Sequence, residues 1–305
     1  MSNKIILIIG ASGSQGGEVL KQLQNQNKFK LRVLQRKESD FARKVREEGV
    51  DVAIGDLFDE PSLDKAMKDV YGVFSVLTTS VNLKEEDEET QEKNIVSAAK
   101  KNGVEILIHA SVARAGDEES FVDWNDEDRT PVYHKYWKGK TRANNVVKNS
   151  NIPHWVIFKP AMMMDNFLKG RAQIYPNLKE GIIENNVKLD TKIDFICALD
   201  QGKFVADAFE NIEKYDKKEI DLASQSLTLT EVADIIFKCL NKKIKIISTD
   251  AKELNRKGFH KAITDSFEWD NLEGYKVDIE KVKSYGIKLT SFEEFCNIYK
   301  DKMEF

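Results

Sequence analysis

At 305 residues, with 41% apolar and 32% charged residues and a net charge of −4, the chain is long enough for one core domain of roughly 150 residues and a smaller lobe. Its slight acidity leaves no overall basic footprint for nucleic acid, and no apolar run approaches the ~20 residues of a membrane span. Cys197, Cys239 and Cys296 lie far apart, and His109, His134, His154 and His260 lack ligand spacing, so the composition predicts free thiols, no metal site and a cytoplasmic location.

Met1 to Lys4 leads straight into the first strand, which predicts no secretory signal. Residues 5–9 are consecutive apolar, mostly β-branched positions, the pattern of a strand buried on both faces. Gly10, Ala11, Ser12, Gly13, Ser14, Gln15, Gly16 and Gly17 follow without a spacer. A helical pattern then begins at Glu18, with Val19, Leu20 and Leu23 on one face. Strand, tight turn and helix start make a site for a diphosphate. Gly10 permits the turn, Gly13 lets the backbone approach phosphates, and Gly16 lets the helix pack on the sheet. The spacing is G-x-x-G-x-x-G rather than the G-x-G-x-x-G of many dehydrogenases.

A short strand over residues 30–34 runs into Gln35, Arg36 and Lys37. An acidic residue here would bind the ribose 2′-hydroxyl of NAD. Arg36, planar and always charged, with Lys37 beside it, favours the 2′-phosphate of NADP, although Glu38 lies close enough to argue for NAD. Residues 50–54 form a third strand ending at Gly55 and Asp56, and Asp59, Glu60 and Pro61 open a helix. Residues 70–77 form a fourth strand. The acidic run 85–89 reads as a solvated helix start, and Ile95, Ala98 and Ala99 are the inward positions of that helix. A fifth strand over 105–110 ends at Ser111, and the acidic loop 117–128 reads as flexible, either covering a cleft or keeping the surface soluble. A helix over about 136–148 and a sixth strand over 155–158 complete the alternation.

The pattern predicts an α/β fold with a doubly wound parallel sheet and helices on both faces. Ligands then sit at the carboxyl ends of the strands, where the glycine turn, Arg36, Asp56, Thr78 and Ser111 fall. Beyond a boundary near residue 160, residues 161–305 are less regular and are expected to form a smaller α/β lobe completing the cleft. Thr228 with Glu231 and Ser291 with Glu294 fit capping boxes, and 242–247 reads as a short strand.

Several stretches together resemble the NmrA-like proteins, an atypical branch of the short-chain dehydrogenase/reductases. They are the turn from Gly10 to Gly17, Gly55-Asp56-Leu57-Phe58-Asp59 with Ser62-Leu63, Val70-Tyr71-Gly72-Val73-Phe74, residues 98–104, Ile152-Pro153 and Met164-Asp165-Asn166-Phe167. The resemblance runs in register to about residue 170 and loosely beyond. It implies a Rossmann-type domain over 1–160 that binds NADP(H). Gly10, Ala11, Ser12, Gly13, Ser14, Gln15 and Gly16 would hold the pyrophosphate, and Arg36 with Lys37 the 2′-phosphate. Asp56 and Leu57 would border the adenine, and Leu77, Thr78 and Thr79 the path to the nicotinamide ribose. Lys140 would reach that ribose, with Met163, Met164, Asp165 and Asn166 closing over the nicotinamide end. One departure is that Thr90 and Gln91 stand where some relatives carry a cofactor-contacting lysine, with Lys93 nearby.

Reductases of this superfamily use tyrosine and lysine at Tyr-x-x-x-Lys, which one helical turn brings to the same face. Tyr136 and Lys140 have that spacing. The lysine charge would stabilise a phenolate, and Ser111 could hydrogen-bond a substrate carbonyl as charge develops on its oxygen. Two readings stay open. The resemblance implies a redox sensor whose NADP(H) occupancy is read by a regulatory protein partner. Tyr136, Lys140 and Ser111 as catalytic groups would instead make an NADPH-dependent oxidoreductase of a quinone or small carbonyl compound. Neither binds nucleic acid directly or a membrane. Tyr136 could also simply pack with Tyr133 and Trp137, and Gly139 could mark the helix start. His134 reads as a surface residue rather than a proton donor, and Met162, Met163 and Met164 as an adaptable pocket wall rather than a metal site.

Overall fold

The computed structural model describes residues 3–77, 84, 87–171 and 174–305. Strands and helices alternate through the first half: β1 (Ile5–Ile8), α1 (Ser14–Gln26), β2 (Lys30–Gln35), α2 (Asp40–Glu47), β3 (Asp51–Ile54), α3 (Glu60–Ala66), β4 (Val70–Val76), α4 (Asp87–Lys101), β5 (Ile106–Ala110), α5 (Pro131–Lys148) and β6 (His154–Pro160). Then come β7 (Met162–Met163), β8 (Ile182–Asn185), β9 (Ile193–Ile196), α6 (Ala198–Glu210), α7 (Ile212–Tyr215), β10 (Lys218–Leu222), β11 (Gln225–Leu227), α8 (Leu229–Leu240), β12 (Lys245–Ser248), α9 (Ala251–Arg256), α10 (Lys261–Leu272), α11 (Ile279–Lys283) and α12 (Phe292–Ile298).

An apolar strand with no polar face must be covered on both sides, and β1 achieves this at the middle of a seven-stranded sheet ordered β10-β6-β5-β4-β1-β2-β3. The pairs β1–β2, β2–β3, β1–β4, β4–β5 and β5–β6 are all parallel. The winding therefore reverses between β1 and β4, the point at which such sheets open a ligand crevice. Side chains alternate along each strand, so Leu7, Val73, Leu107 and Ile157 face one way. They pack with Leu63 and Ala66 of α3, Ile95, Ala98 and Ala99 of α4, and Ala143 and Val147 of α5. Phe158 faces the other way and meets Phe204 of α6 with ring centroids 5.7 Å apart.

The chain divides into two compact units. The first comprises Met1–Gly116, Trp137–Lys159 and Ala198–Ile220; the second comprises Asp117–Tyr136, Pro160–Cys197 and Asp221–Phe305. The chain thus crosses between them repeatedly, and α6 returns to the first unit from beyond residue 160. In the second unit β9 pairs antiparallel with β11 and parallel with β7, and β12 pairs parallel with β8. Both capping boxes form, Thr228 with Glu231 on α8 and Ser291 with Glu294 on α12. Phe167, Tyr175, Phe195, Phe267 and Phe292 supply the unit's aromatic core.

The helix expected from about residue 136 begins earlier, at Pro131. Thr130 explains the start. Its N–H and Oγ1 both donate to Asp265 Oδ2, at 3.0 and 2.6 Å, and its Oγ1 accepts from the Tyr133 N–H. Pro131 then occupies the first turn, where its missing amide is no loss. Gly139 lies well inside α5 and does not start it.

Candidate functional site

The first β-to-α turn is made of backbone. Gly10 has φ +75°, and a Cβ there would collide with the Val76 side chain. The turn closes through the Gly13 N–H, which donates to Gly10 O at 2.9 Å. Gly13 is the N-cap of α1, in extended conformation and with no side chain capping the helix, so the first-turn amides of Ser14, Gln15 and Gly16 are presented outward. A Cβ on Gly16 would stand 2.5 Å from the Gly10 carbonyl carbon and 2.8 Å from the Ala11 nitrogen. Ala11 is buried and Ser12 exposed at the crest. Helix-start amides with a positive dipole end fit a diphosphate, and the glycine contacts leave that cradle free of side chains.

Arg36 and Lys37 follow β2 and are exposed, with no ion pair to any described residue. Glu38 is held by Arg46 through two bonds of 2.7 and 2.8 Å. After β3, the Asp56 carboxylate accepts the Phe58 N–H at 2.9 Å, and the Asn94 amide donates to Leu57 O at 2.9 Å. Leu77 is buried just beyond β4. Thr78 and Thr79 lie outside the described residues.

A buried polar layer caps the apolar core between the sheet and α4–α5. Lys140 Nζ is 3.1 Å from Glu88 Oε1, both side chains nearly enclosed. His109 Nδ1 lies 2.8 Å from Ser75 Oγ and 3.3 Å from Glu92 Oε2. Three further polar groups are buried without a hydrogen-bond partner among the described residues: Ser111 Oγ at the end of β5, His109 Nε2 and the Asn144 amide.

The acidic run is therefore not simply a solvated helix start, because Glu88 faces inward to Lys140. Glu88, Glu92 and His109 are not among the site residues that the sequence predicts. A signal existed: Glu88 and Glu92 fall in the same helical stripe as Ile95 and Ala99, which makes them inward positions. Gln91 is buried, whereas Lys93 is exposed and paired with Glu89 at 2.5 Å.

Tyr136 stands on α5 one turn before Lys140 and is 37% exposed, while its neighbours Tyr133 and Trp137 are buried. Tyr133 donates to Asp123 Oδ1 at 3.0 Å, and burial, with Asp123 beside it, holds its phenol protonated. The His134 ring nitrogens lie 2.8 Å from Trp124 O and 3.2 Å from Thr130 O, so the ring is tied to local backbone. The acidic loop is anchored rather than loose. Asp123 pairs with Arg129 at 2.6 Å, and the Val122 N–H donates to Glu273 at 2.9 Å.

Met163, Met164, Asp165 and Asn166 lie in the second unit at β7 and the helical turn after it, with Met164 and Asp165 buried and Asn166 Nδ2 3.4 Å from Met162 Sδ. The same unit holds a cluster invisible in the sequence. Asp270 is buried, its Oδ2 has no hydrogen-bond partner among the described residues, and desolvation, then the nearby Asp194 charge, push its carboxyl up to about 8. Asp194 accepts the Val277 N–H at 2.9 Å. Among the described residues no group of three histidine, cysteine or acidic side chains could hold a metal, and no helix is long and apolar enough to cross a membrane.

A doubly wound parallel sheet with a bare helix start at its switch point defines a Rossmann-type protein. The chain belongs to the NmrA-like family, whose model matches residues 2–296. It is 24% identical over 318 residues to an NmrA-like family domain-containing protein of Dictyostelium discoideum, covering 99% of this chain and all of that protein. Among solved structures, the fold matches an NADPH-dependent quinone oxidoreductase of Escherichia coli complexed with NADPH (TM-score 0.74, 20% identity, 97% and 99% of the two chains). It also matches NmrA, a negative transcriptional regulator, in complex with NADP (TM-score 0.76, 15% identity, 97% and 95%).

Proposed function

We propose that the chain binds NADP(H) and reduces a quinone or another small carbonyl compound. The observation that carries this reading is α5, which sets a solvent-reaching Tyr136 one turn before a buried Lys140 held by Glu88. The amides of Ser14, Gln15 and Gly16 would hold the diphosphate, and Arg36 with Lys37, which make no ion pair to any described residue, the 2′-phosphate. NADPH, when bound, supplies a hydride. The chain's part is the proton. Tyr136 donates its hydroxyl proton to the acceptor oxygen, the Lys140 charge stabilises the phenolate left behind, and solvent returns the proton to the exposed phenol. Ser111 Oγ, buried and without a hydrogen-bond partner among the described residues, offers a hydrogen bond to an oxygen gaining charge. The resemblance to a quinone oxidoreductase supports the reading.

The resemblance to NmrA favours a second reading, a redox sensor whose NADP(H) occupancy a protein partner detects. Turnover separates the two. NADPH oxidation followed across quinones and aldehydes is expected to show turnover that falls at least about tenfold in Tyr136→Phe while NADPH binding is kept. No turnover with any acceptor, together with partner capture that depends on NADP(H), would establish the sensor instead.

A further inference from the structure

We infer that Arg46 sets the coenzyme preference without touching the coenzyme, by clamping Glu38; the inference rests on the NADP(H) reading above. The three residues after β2 offer opposed chemistries. Arg36 and Lys37 suit a phosphate, whereas Glu38 suits the two hydroxyls of an unphosphorylated ribose. All three are exposed, so the local sequence leaves the choice open.

The fold removes one option. Arg46 Nη2 donates to Glu38 Oε1 at 2.7 Å and Arg46 Nη1 to Glu38 Oε2 at 2.8 Å, a fork-to-fork pair that engages both carboxylate oxygens. The hydrogen bond from Arg46 holds the Glu38 carboxyl below its ordinary range, so the clamp acts on the charged form. Arg46 is delivered to this position by α2. Ser39 caps that helix by accepting the Ala42 N–H at 3.1 Å, Ala42 and Val45 anchor its buried side, and Arg46 lies in its last turn. The other acid of the corner is matched as well, Asp40 by Arg43, and Lys44 lies 3.9 Å from Glu48. Among the described residues, the charges left without an ion pair at the end of β2 are then those of Arg36 and Lys37, both positive. A released Glu38 would repel a 2′-phosphate dianion and accept from the ribose diol, reversing the sign of selection.

The test is the dissociation constant of the full chain for NADPH and for NADH, by calorimetry, in wild type, Arg46→Met, Glu38→Gln and the double variant. Arg46 and Glu38 are both substantially exposed, so these changes leave folding intact. Arg46→Met is expected to weaken NADPH and tighten NADH, lowering the preference about tenfold at low salt and less at high salt. Adding Glu38→Gln is expected to restore NADPH affinity to within about twofold, because the competing charge is gone. An unchanged ratio in Arg46→Met overturns the inference. So does weakened NADPH that Glu38→Gln fails to rescue, which would make Arg46 a direct phosphate contact. Wild type that prefers NADH or binds neither nucleotide overturns the NADP(H) reading and this inference together, an outcome distinct from wild type that prefers NADPH with an unaltered ratio in the variant.

Discussion

The β1–α1 turn and the α4–α5 layer both belong to the first unit, yet they are built from different materials. In the turn the working groups are backbone amides, which every residue carries, and the sequence need only keep side chains out at Gly10 and Gly16. In the layer the working groups are side chains drawn from β4, α4, β5 and α5, and each is meaningful only beside its partner. The difference teaches that a cradle made of absences can be read locally. A buried charge cannot, since what makes it tolerable lies on another element.

The largest effect expected from this contrast is in the layer. Lys140→Met leaves Glu88 buried without its ion-pair partner and should destabilise the chain by about 3–5 kcal/mol in denaturant titration. Lys140→Met with Glu88→Leu should recover most of that loss. A single variant as stable as wild type would break the comparison, because the layer would then not depend on pairing. In the turn, Gly16→Val pushes a side chain into the Gly10–Ala11 backbone and should cost roughly 1–3 kcal/mol, with NADPH affinity falling by more than tenfold in a fluorescence titration. Unaltered affinity would mean that the turn is not the diphosphate cradle.

The third expected effect is a slope, at most about 1.4 kcal/mol per pH unit, and it extends the comparison to the second unit. Burial, reinforced by Asp194, raises the Asp270 carboxyl to about 8, against about 3.9 in an unfolded chain. Between those values the folded chain keeps a proton that the unfolded chain has released. This contribution is therefore complete below about pH 4 and declines as pH rises towards 8. Asp270→Asn, which cannot ionise, should flatten the dependence in unfolding midpoints measured from pH 5 to 8. An unchanged slope would show that Asp270 does not carry the linkage.

The doubly wound sheet was legible because period and punctuation agree along the first half: apolar strands of strand length, helices with one apolar face, and turn residues between them. The α5 start lies five residues before the one the sequence predicts, because its cap, Thr130, is positioned by Asp265, remote in sequence. The charges of the acidic loop look solvated in isolation, whereas Asp123 meets Arg129 and Tyr133 in a buried cluster. Lys93 lay near the expected lysine position but faces outward to Glu89.

Taken alone, the order of residues determined the architecture, the glycine turn between β1 and α1 and the family, because these depend on periodicity and on where side chains are missing, both local properties. Only the tertiary structure decided which charges are spent on each other: Glu38 on Arg46, Glu88 on Lys140, Glu92 beside His109. The physical reason is that pairing energy depends on distance and burial in three dimensions, which the spacing of two residues along a chain does not contain.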